Sequence, residues 1–409
     1  MDTLLDRFCR YVKVETTSVE DAKEYPSSKG QFELGRILAG EMQALSLDDV
    51  KVDENGIVTG TVPGNVKTAP TIAFLSHMDT SPEASGKNVR PVVHKNYDGK
   101  DIVLPGDKTK IIRVSESTGL AELKGKTIIS SDGTTLLGAD DKAGIAVIMT
   151  AAARLMADPK IKHGPIRVVF TCDEEVGRGT DKVDIKKINA QCAYTLDGEG
   201  QGEVEGETFS ADLATVTITG YNIHPGLATG RMVNAIRIAG QFLERMPWNR
   251  LAPETTAGRD GFLHPYTIEG GVPEVKIRIL LRSFVTAELK EQAKILRGIA
   301  ATLEAEHPRA KVDVSVKKQY RNMAEALKKE PRAMELAAEA VKHCGMTPAF
   351  KAIRGGTDGS RLSEMGLPTP NLFVGMHNFH SALEYACLEE MEAAVKVLIE
   401  LAQLWGKQK

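Results

Sequence analysis

Residues 166–175 read IRVVFTCDEE, an apolar run followed at once by three carboxylates. The β-branched and aromatic residues of this run predict a strand, and its apolarity predicts a place in the middle of a sheet. Three adjacent acids repel one another unless water or a cation neutralises them. Because a central strand leaves little water around them, we predict that Asp173, Glu174 and Glu175 lie near a bound metal ion.

The neighbouring sequence has the same alternating character. The runs TIAFLS (71–76) and AYTL (193–196) predict two further buried strands, and a stretch rich in Ala, Ile and Met over 143–156 predicts a buried helix. Strands that alternate with helices indicate a mainly parallel sheet covered by helices on both faces. The predicted class of this part of the chain is therefore α/β.

The pattern changes after this region. Residues 198–206 (GEGQGEVEG) are rich in Gly and Glu and predict a linker. Beyond it the pattern predicts strand, helix, strand, strand, helix and strand, at 214–219, 232–246, 264–269, 275–284, 286–306 and 311–317. This is the ferredoxin-like order, with helices on one face of an antiparallel sheet. We predict a catalytic domain formed by 1–208 and 321–409, interrupted by an inserted α+β domain at 209–320.

Composition and charge exclude several classes of protein. A net charge of -3 gives no reason to expect nucleic acid or an anionic membrane as a partner. The longest apolar run, 143–153, is far shorter than the ~20 residues that span a bilayer. The N-terminus lacks the basic, apolar and small-residue regions of a signal peptide. Five scattered cysteines without a CxxC pair fit a reduced compartment, so we expect a cytoplasmic protein.

The first candidate for chemistry is the triplet His77-Met78-Asp79, directly after a predicted strand. Residues two apart on an extended segment point the same way, so His77 and Asp79 can share one face. The carboxylate could then accept the second ring N–H of a metal-bound imidazole and fix its orientation. Alone, such a triplet is weak evidence, because it also occurs by chance at surface and core positions.

Further candidates follow the other predicted strands. Asp140 and Asp141 precede the apolar helix, where carboxylates also serve as ordinary helix caps. Asp197 ends a strand, and His377 and His380 follow another; the spacing does not decide between these two histidines. Ligand sites of α/β sheets lie beyond the carboxyl ends of the strands, so these side chains should converge there. A His/Asp/Glu set without cysteine suits catalytic zinc, or cobalt or manganese.

The motifs HxD (77–79), GxDDK (138–142), DEExG (173–177), DG (197–198) and HxxxE (380–384) occur in the order and spacing of the M20 metallopeptidases. The resemblance is closest to the tripeptide aminopeptidases of that family and extends over nearly the whole chain. Its most specific part is the block DGTTLLGADDKAG at 132–144. The resemblance implies a zinc-peptidase catalytic domain with an inserted lid and dimerisation domain, acting on short peptides.

The resemblance also implies a role for each motif residue. Two zinc ions per subunit would share Asp140 and a water, one ion being also held by His77 and Asp197, the other by Glu175 and His380. Asp79 would orient His77. Glu174 would be the general base that deprotonates the attacking water and passes the proton to the departing amine.

Substrate-binding residues are expected in the inserted domain. In dimeric members of the family a lid histidine reaches the partner's active site, and His224 occupies the matching position, which implies a homodimer. Arg282 resembles the arginine that binds the substrate carboxylate, for which a guanidinium fork is well suited. Ser283 stands beside it where the family commonly has Asp. Asn234 is a further, weaker candidate.

Other functions use the same metal core. An M20 carboxypeptidase, a dipeptidase or an N-acyl amino acid deacylase would need the same ligands, so only the inserted domain can distinguish them. A non-catalytic zinc-binding descendant is a further alternative. Such a protein has no need of a general base, whereas Glu174 is present together with every ligand position.

Overall fold

The computed structural model describes residues 2–409, which form two compact units. The first unit comprises the chain up to Gly206, Met323–Lys351 and Thr357–Lys409. The second comprises Glu207–Asn322 and the short segment Ala352–Gly356. The second unit is thus an insertion in the first.

Ten α-helices occur in the described chain: α1 (Leu4–Tyr11), α2 (Lys29–Ala44), α3 (Ala139–Ala157), α4 (Ile185–Ile188), α5 (Ala235–Glu244), α6 (Glu288–Glu306), α7 (Ala324–Leu327), α8 (Arg332–His343), α9 (Asp358–Met365) and α10 (Leu388–Gly406). Helices α5 and α6 belong to the second unit and the others to the first. Among the described residues, no helix is both long and apolar enough to cross a membrane.

The strands are β1 (Asp48–Val52), β2 (Val58–Val62), β3 (Ile72–His77), β4 (Val92–His94), β5 (Ile102–Val103), β6 (Ile111–Ile112), β7 (Ile128–Ser130), β8 (Ile166–Thr171), β9 (Cys192–Gly198), β10 (Glu203–Thr208), β11 (Ser210–Thr219), β12 (Phe262–Gly270), β13 (Glu274–Ser283), β14 (Lys311–Tyr320), β15 (Ala349–Ile353), β16 (Asn371–Phe373), β17 (Met376–His377) and β18 (Tyr385–Cys387).

The main sheet has the order β1-β2-β8-β3-β9-β16-β10-β15. Its central strands β8, β3, β9 and β16 are parallel neighbours. Antiparallel pairs lie on either side, β1 with β2, β2 with β8, and β10 with β16. The sheet is therefore mixed, with a parallel centre, and the predicted α/β class is confirmed. The carboxyl ends of the central strands open on one edge, where an α/β sheet holds its ligands.

Helix α3 packs against β3 and β9 and is buried along almost its whole length. Its first turn approaches the sheet so closely that a Cβ on Gly144 would lie 2.1 Å from the carbonyl oxygen of Leu196 and 2.4 Å from Oδ1 of Asp141. Only glycine fits such an approach. The closeness of α3 to β9 brings the carboxylates at the start of α3 to the carboxyl edge of the sheet.

The second unit contains an antiparallel sheet of order β12-β13-β11-β14. The apolar faces of α5 and α6 pack on it, with Ile238, Phe242 and Leu296 buried against Ile277 and Ile279. The chain order β11-α5-β12-β13-α6-β14 is the ferredoxin-like one predicted from the sequence.

The linker predicted at 198–206 is wrong in its second half. Residues from Glu203 onward form β10, in which Val204 and Glu205 pair with Leu372 and Asn371 of β16. Gly and Glu are depleted in strands, but strand propensity is readily overridden by a cross-strand neighbour. The segment is therefore a buried part of the main sheet.

A second sheet of the first unit has no counterpart in the sequence analysis. Its order is β17-β18-β7-β4, and each of its strands has only two or three residues. Strands this short carry too few residues for a periodic pattern. This sheet positions the loop between β17 and β18, which carries His380.

Candidate metal centre

Side chains from five segments of the first unit meet beyond the carboxyl ends of the central strands. His77 is the last residue of β3, and Glu175 follows β8 by four residues. Asp197 is near the end of β9, Asp140 begins α3, and His380 lies in the loop between β17 and β18. The structure thus brings together all five residues that the sequence analysis assigned as metal ligands.

Asp140 is at the centre of this cluster. Its Oδ1 is 2.9 Å from Nε2 of His77, and its Oδ2 is 3.3 Å from Nε2 of His380. The same nitrogen of each histidine also faces a second carboxylate: Oδ1 of Asp197 is 3.8 Å from His77 Nε2, and Oε2 of Glu175 is 2.8 Å from His380 Nε2. The two oxygens of Asp140 therefore face two separate groups of ligands, as a bridging carboxylate would.

His77 is buried, and its ring is fixed from the other side by Asp79. The Nδ1 atom lies 3.1 Å from the backbone carbonyl oxygen of Asp79 and 3.4 Å from Oδ1 of its side chain. The nearer partner is thus the carbonyl, which accepts the Nδ1 proton and leaves Nε2 free to bind a metal. Asp79 therefore contacts the His77 ring through its backbone carbonyl and, at a longer distance, through its carboxylate.

The carboxylate of Asp79 has a different partner. Its Oδ1 accepts the backbone N–H of Glu174 at 3.0 Å, and its Oδ2 accepts that of Glu175 at 3.1 Å. One buried carboxylate therefore fixes the turn that carries both the candidate base and a candidate ligand. The preceding residue, Asp173, has a left-handed backbone (φ 61°), and its own carboxylate accepts bonds from Ser27 and Gln31. Asp173 is thus a structural acid and contributes nothing to the metal cluster.

Two residues to which the sequence analysis assigned no role accept hydrogen bonds from the backbone N–H groups of candidate ligands. Glu384 is buried, and its Oε1 accepts the backbone N–H of Asp140 at 3.0 Å. Its Oε2 accepts those of Leu137 and Gly138, both at 2.7 Å. On the other side, Oδ1 of Asn371 accepts the backbone N–H of Asp197 at 3.1 Å. Glu384 belongs to a motif that was noticed, whereas Asn371 gave no signal.

Asp141 lies beside the cluster and competes geometrically for a place in it, because His77, Asp141 and Asp197 also offer atoms close enough to hold one ion. Its oxygens are already engaged: Oδ2 accepts from the Ser76 hydroxyl and from the His77 backbone N–H, and Oδ1 accepts from the Gly144 N–H. We therefore favour Asp140 over Asp141 as the ligand.

The two histidines that spacing could not separate have different surroundings. His377 stacks on the ring of Tyr385, with centroids 4.8 Å apart, and its Nε2 lies 2.8 Å from Glu390. His380 instead faces Asp140 and Glu175, with a left-handed backbone (φ 61°) that non-glycine residues seldom adopt. Unusual backbone of this kind is concentrated at functional sites. The geometry thus selects His380.

Burial and mutual charge shift the pKa values of the side chains in this cluster. Burial and, next to it, the negative charge of Asp140 raise the pKa of Asp197 to about 7 and that of Glu175 to about 8. Burial alone would lower the pKa of His380, but Asp140 and Glu175 raise it to about 11. Burial also raises the pKa of Glu174 well above its usual value. A divalent cation would displace these protons and supply the missing positive charge.

One atom of the cluster fits a metal directly. Oε1 of Glu175 is buried and, among residues 2–409, has no hydrogen-bond partner. A buried carboxylate oxygen without a partner is costly, so such an atom calls for an explanation such as a bound ion. Together with imidazole and carboxylate donors and the absence of cysteine from the set, this oxygen fits a divalent metal centre.

The remaining candidates lie in the second unit, outside this cluster. His224 is exposed, and its Nδ1 accepts the backbone N–H of Gly226 at 3.1 Å. Asn234 caps α5, because its side chain accepts the backbone N–H of Ile236 at 3.0 Å. Each side chain thus has a local structural contact, and their predicted role in substrate binding stays a prediction.

Arg282 is largely buried in β13 of the second unit. Its Nη1 donates to the carbonyl oxygens of Leu281 and Asp212, and its guanidinium lies over the ring of Tyr320 at 5.5 Å from the centroid. Ser283 stands where the resemblance leads one to expect an Asp, and its hydroxyl makes contacts of a different kind. Its hydroxyl donates to Glu288 in the first turn of α6 and accepts the N–H of Val285, so it organises the start of that helix.

A family model for peptidase family M20/M25/M40 matches residues 135–404, which include the start of α3 and the loop of His380. The chain belongs to peptidase family M20. This M20 peptidase is 46% identical over 406 residues to the protein named Peptidase T of Geobacillus thermodenitrificans, an alignment that covers 99% of this chain and 98% of the relative. The prediction of a metal-dependent peptidase is thereby confirmed.

Solved structures agree with the family. The crystal structure of aminopeptidase PepT from Bacillus cereus superposes with a TM-score of 0.77 at 26% identity, covering 99% of this M20 peptidase and 98% of that chain. A Bacillus subtilis protein described as a dinuclear metal-binding peptidase of the M20 family superposes with a TM-score of 0.65 at 15% identity, covering 98% and 97%. The second likeness establishes the shared fold alone.

Proposed function

We propose that this M20 peptidase is a dinuclear zinc aminopeptidase that releases the N-terminal residue of tripeptides. The observation that carries the proposal is the position of Asp140, whose two oxygens face His77 on one side and His380 on the other. One ion would be held by His77, Asp140 and Asp197, the second by Asp140, Glu175 and His380. Cobalt or manganese would fit the same donors.

The reaction follows from the side chains around that cluster. When bound, a pair of divalent ions lowers the pKa of a shared water and polarises the scissile carbonyl. Glu174 accepts the proton of the attacking water and delivers it to the departing amine. Its raised pKa reflects burial and suits a group that must hold that proton in transit. Asp79 fixes the base through the Glu174 N–H, which limits its position relative to the reacting atoms.

The substrate class rests on the relatives. The similar proteins of known sequence are named Peptidase T, and a similar solved structure is described as an aminopeptidase. We propose Arg282 as the partner of the substrate carboxylate, with Asn234 as a further contact. We also propose a cytoplasmic homodimer in which His224 reaches the partner subunit's active site, with short peptides as substrates and neither nucleic acid nor a membrane as a partner.

A substrate panel tests the proposal. The metal-loaded protein would be assayed with free tripeptides, N-acetylated tripeptides, dipeptides and N-acetyl amino acids, each with and without a chelator. We expect chelator-sensitive release of the N-terminal residue from free tripeptides and little activity once the amine is blocked. Preference for N-acetyl amino acids would support a deacylase instead, and release of the C-terminal residue a carboxypeptidase. No turnover across the panel would support a non-catalytic metal-binding protein.

A further inference from the structure

Glu384 is a buried carboxylate that is not itself a candidate metal ligand. It accepts hydrogen bonds from the backbone at and beside the candidate ligand Asp140. It accepts three backbone N–H groups, from Leu137, Gly138 and Asp140. A carboxylate can accept several such bonds, and those from N–H groups to a charged acceptor are stronger than neutral ones. Glu384 therefore fixes the peptide from which the Asp140 side chain projects.

Asn371 does the same for a different ligand. It is fully buried in β16, and its Oδ1 accepts the backbone N–H of Asp197. Its Nδ2 donates to Oε2 of Glu205 at 2.7 Å, which fixes the orientation of the amide. Asn371 thus positions a ligand of only one of the two proposed ions, whereas Glu384 positions the residue shared by both.

We propose that Glu384 and Asn371 are positioning residues that act on the metal centre through backbone N–H groups, Glu384 on both ions and Asn371 on the ion held by His77 and Asp197. The inference rests on the proposed dinuclear function, because it assigns different positioning residues to the two ions. Groups that orient metal ligands typically change metal affinity by about tenfold to a hundredfold when they are lost.

Replacing Glu384 by Gln should remove mainly the hydrogen bond to the Asp140 N–H. The amide oxygen would keep the position that accepts two N–H groups, from Leu137 and Gly138, because that orientation satisfies more donors. The amide NH₂ would then face the N–H of Asp140, where two donors cannot bond. The loss therefore falls on the bridging ligand. In Asn371→Leu, a side chain of similar size removes the acceptor for the Asp197 N–H and the donor to Glu205, and it changes no contact of Glu175 or His380.

The test is metal binding by the full-length protein, independent of turnover. The metal-free protein and its variants would be titrated with Zn²⁺ against a chromophoric chelator, and the number and affinity of bound ions determined. We expect about tenfold to hundredfold weaker binding of both ions in Glu384→Gln, and of one ion only in Asn371→Leu. Glu390→Gln is the matched control, since Glu390 is also a buried carboxylate but contacts His377 and none of the candidate ligands.

Thermal unfolding of the metal-free variants separates positioning from simple structural damage. Equal loss of both ions in the two variants, or wild-type affinities in Glu384→Gln, would overturn the inference. Wild-type protein that binds fewer than two ions would instead contradict the proposed function. If Asn371→Leu yields no folded protein, Asn371→Ser replaces it, because the shorter serine side chain does not reach the Asp197 N–H. The same affinity pattern is required of that variant.

Discussion

In the first unit the candidate residues are buried or half-buried and face one another, whereas in the second unit His224 is exposed and Asn234 and Arg282 bond to nearby backbone. The first set has an unpartnered buried oxygen in Glu175, which calls for a ligand. The second set contains no comparable buried atom without a hydrogen-bond partner. The proposed chemistry thus rests on a cluster within the first unit, whereas the proposed substrate contacts of the second unit do not form a comparable cluster.

The largest expected effect is in the first unit. Glu174→Gln should lower kcat on a free tripeptide by about a hundredfold to ten-thousandfold, because the amide accepts no proton from the attacking water. Bound metal, measured by elemental analysis, should be unchanged, since Glu174 is not a ligand in the proposed centre. Asp181→Asn, on the same loop but paired with Arg361, is the control. Near-normal turnover in Glu174→Gln would remove it as the base.

Asp79→Asn should have the next largest effect. Its carboxylate accepts the N–H groups of Glu174 and Glu175 with separate oxygens, and an amide can accept only one of them. We expect about tenfold to hundredfold losses in both kcat and metal affinity, because base and ligand move together. A loss of kcat with wild-type metal affinity would show that the turn tolerates the change at Glu175.

The pH dependence of stability tests the charge of the cluster in metal-free protein. The pKa values of Asp197 (about 7) and Glu175 (about 8) in the folded protein lie above the values near 4 expected for an unfolded chain. The folded state therefore binds more protons than the unfolded state between these values. The resulting stabilisation is present below about pH 4 and is lost as pH rises toward 8.

Thermal unfolding from pH 5 to pH 8 with and without Zn²⁺ measures this effect. Metal replaces the protons, so the difference in Tm between metal-loaded and metal-free protein should widen as pH rises. Asp197→Asn should flatten part of the pH dependence of the metal-free protein. A difference in Tm that stays constant over this range would contradict the proposed charge balance.

The smallest expected effect is in the second unit. Arg282→Ala should raise KM several-fold for tripeptides with a free C-terminal carboxylate and leave KM for the matching peptide amides unchanged. Arg278→Ala, on the same strand, is the control. Equal changes for carboxylates and amides would mean that Arg282 serves the packing on Tyr320 and has no part in substrate selection.

The sequence predicts the parts of this molecule that have strong local signals. The apolar runs of β3, β8 and β9 and the buried helix α3 are long enough to define their class, and their polar ends mark the site. The prediction of a linker over β10 is wrong because Gly and Glu indicate a loop. In the structure Val204 and Glu205 form a strand by pairing with β16. Non-local pairing of this kind leaves no trace in composition.

The site shows the same division. His77, Asp140 and Glu175 stand at strand or helix ends, where the argument from sheet topology applies. His380 and His377 could be separated only by their surroundings, one facing carboxylates and the other stacked on Tyr385. The role of Asn371 depends on Asp197 of the parallel neighbouring strand, 174 residues away in the chain, which no local pattern encodes.

The most direct test of the account is a crystal structure of the zinc-loaded protein with anomalous data at the zinc edge. Two peaks about 3.5–4 Å apart are expected, one on each side of the Asp140 carboxylate, the first within bonding distance of His77 and Asp197 and the second of Glu175 and His380. A single peak, or two ions bound away from Asp140, would contradict the dinuclear centre.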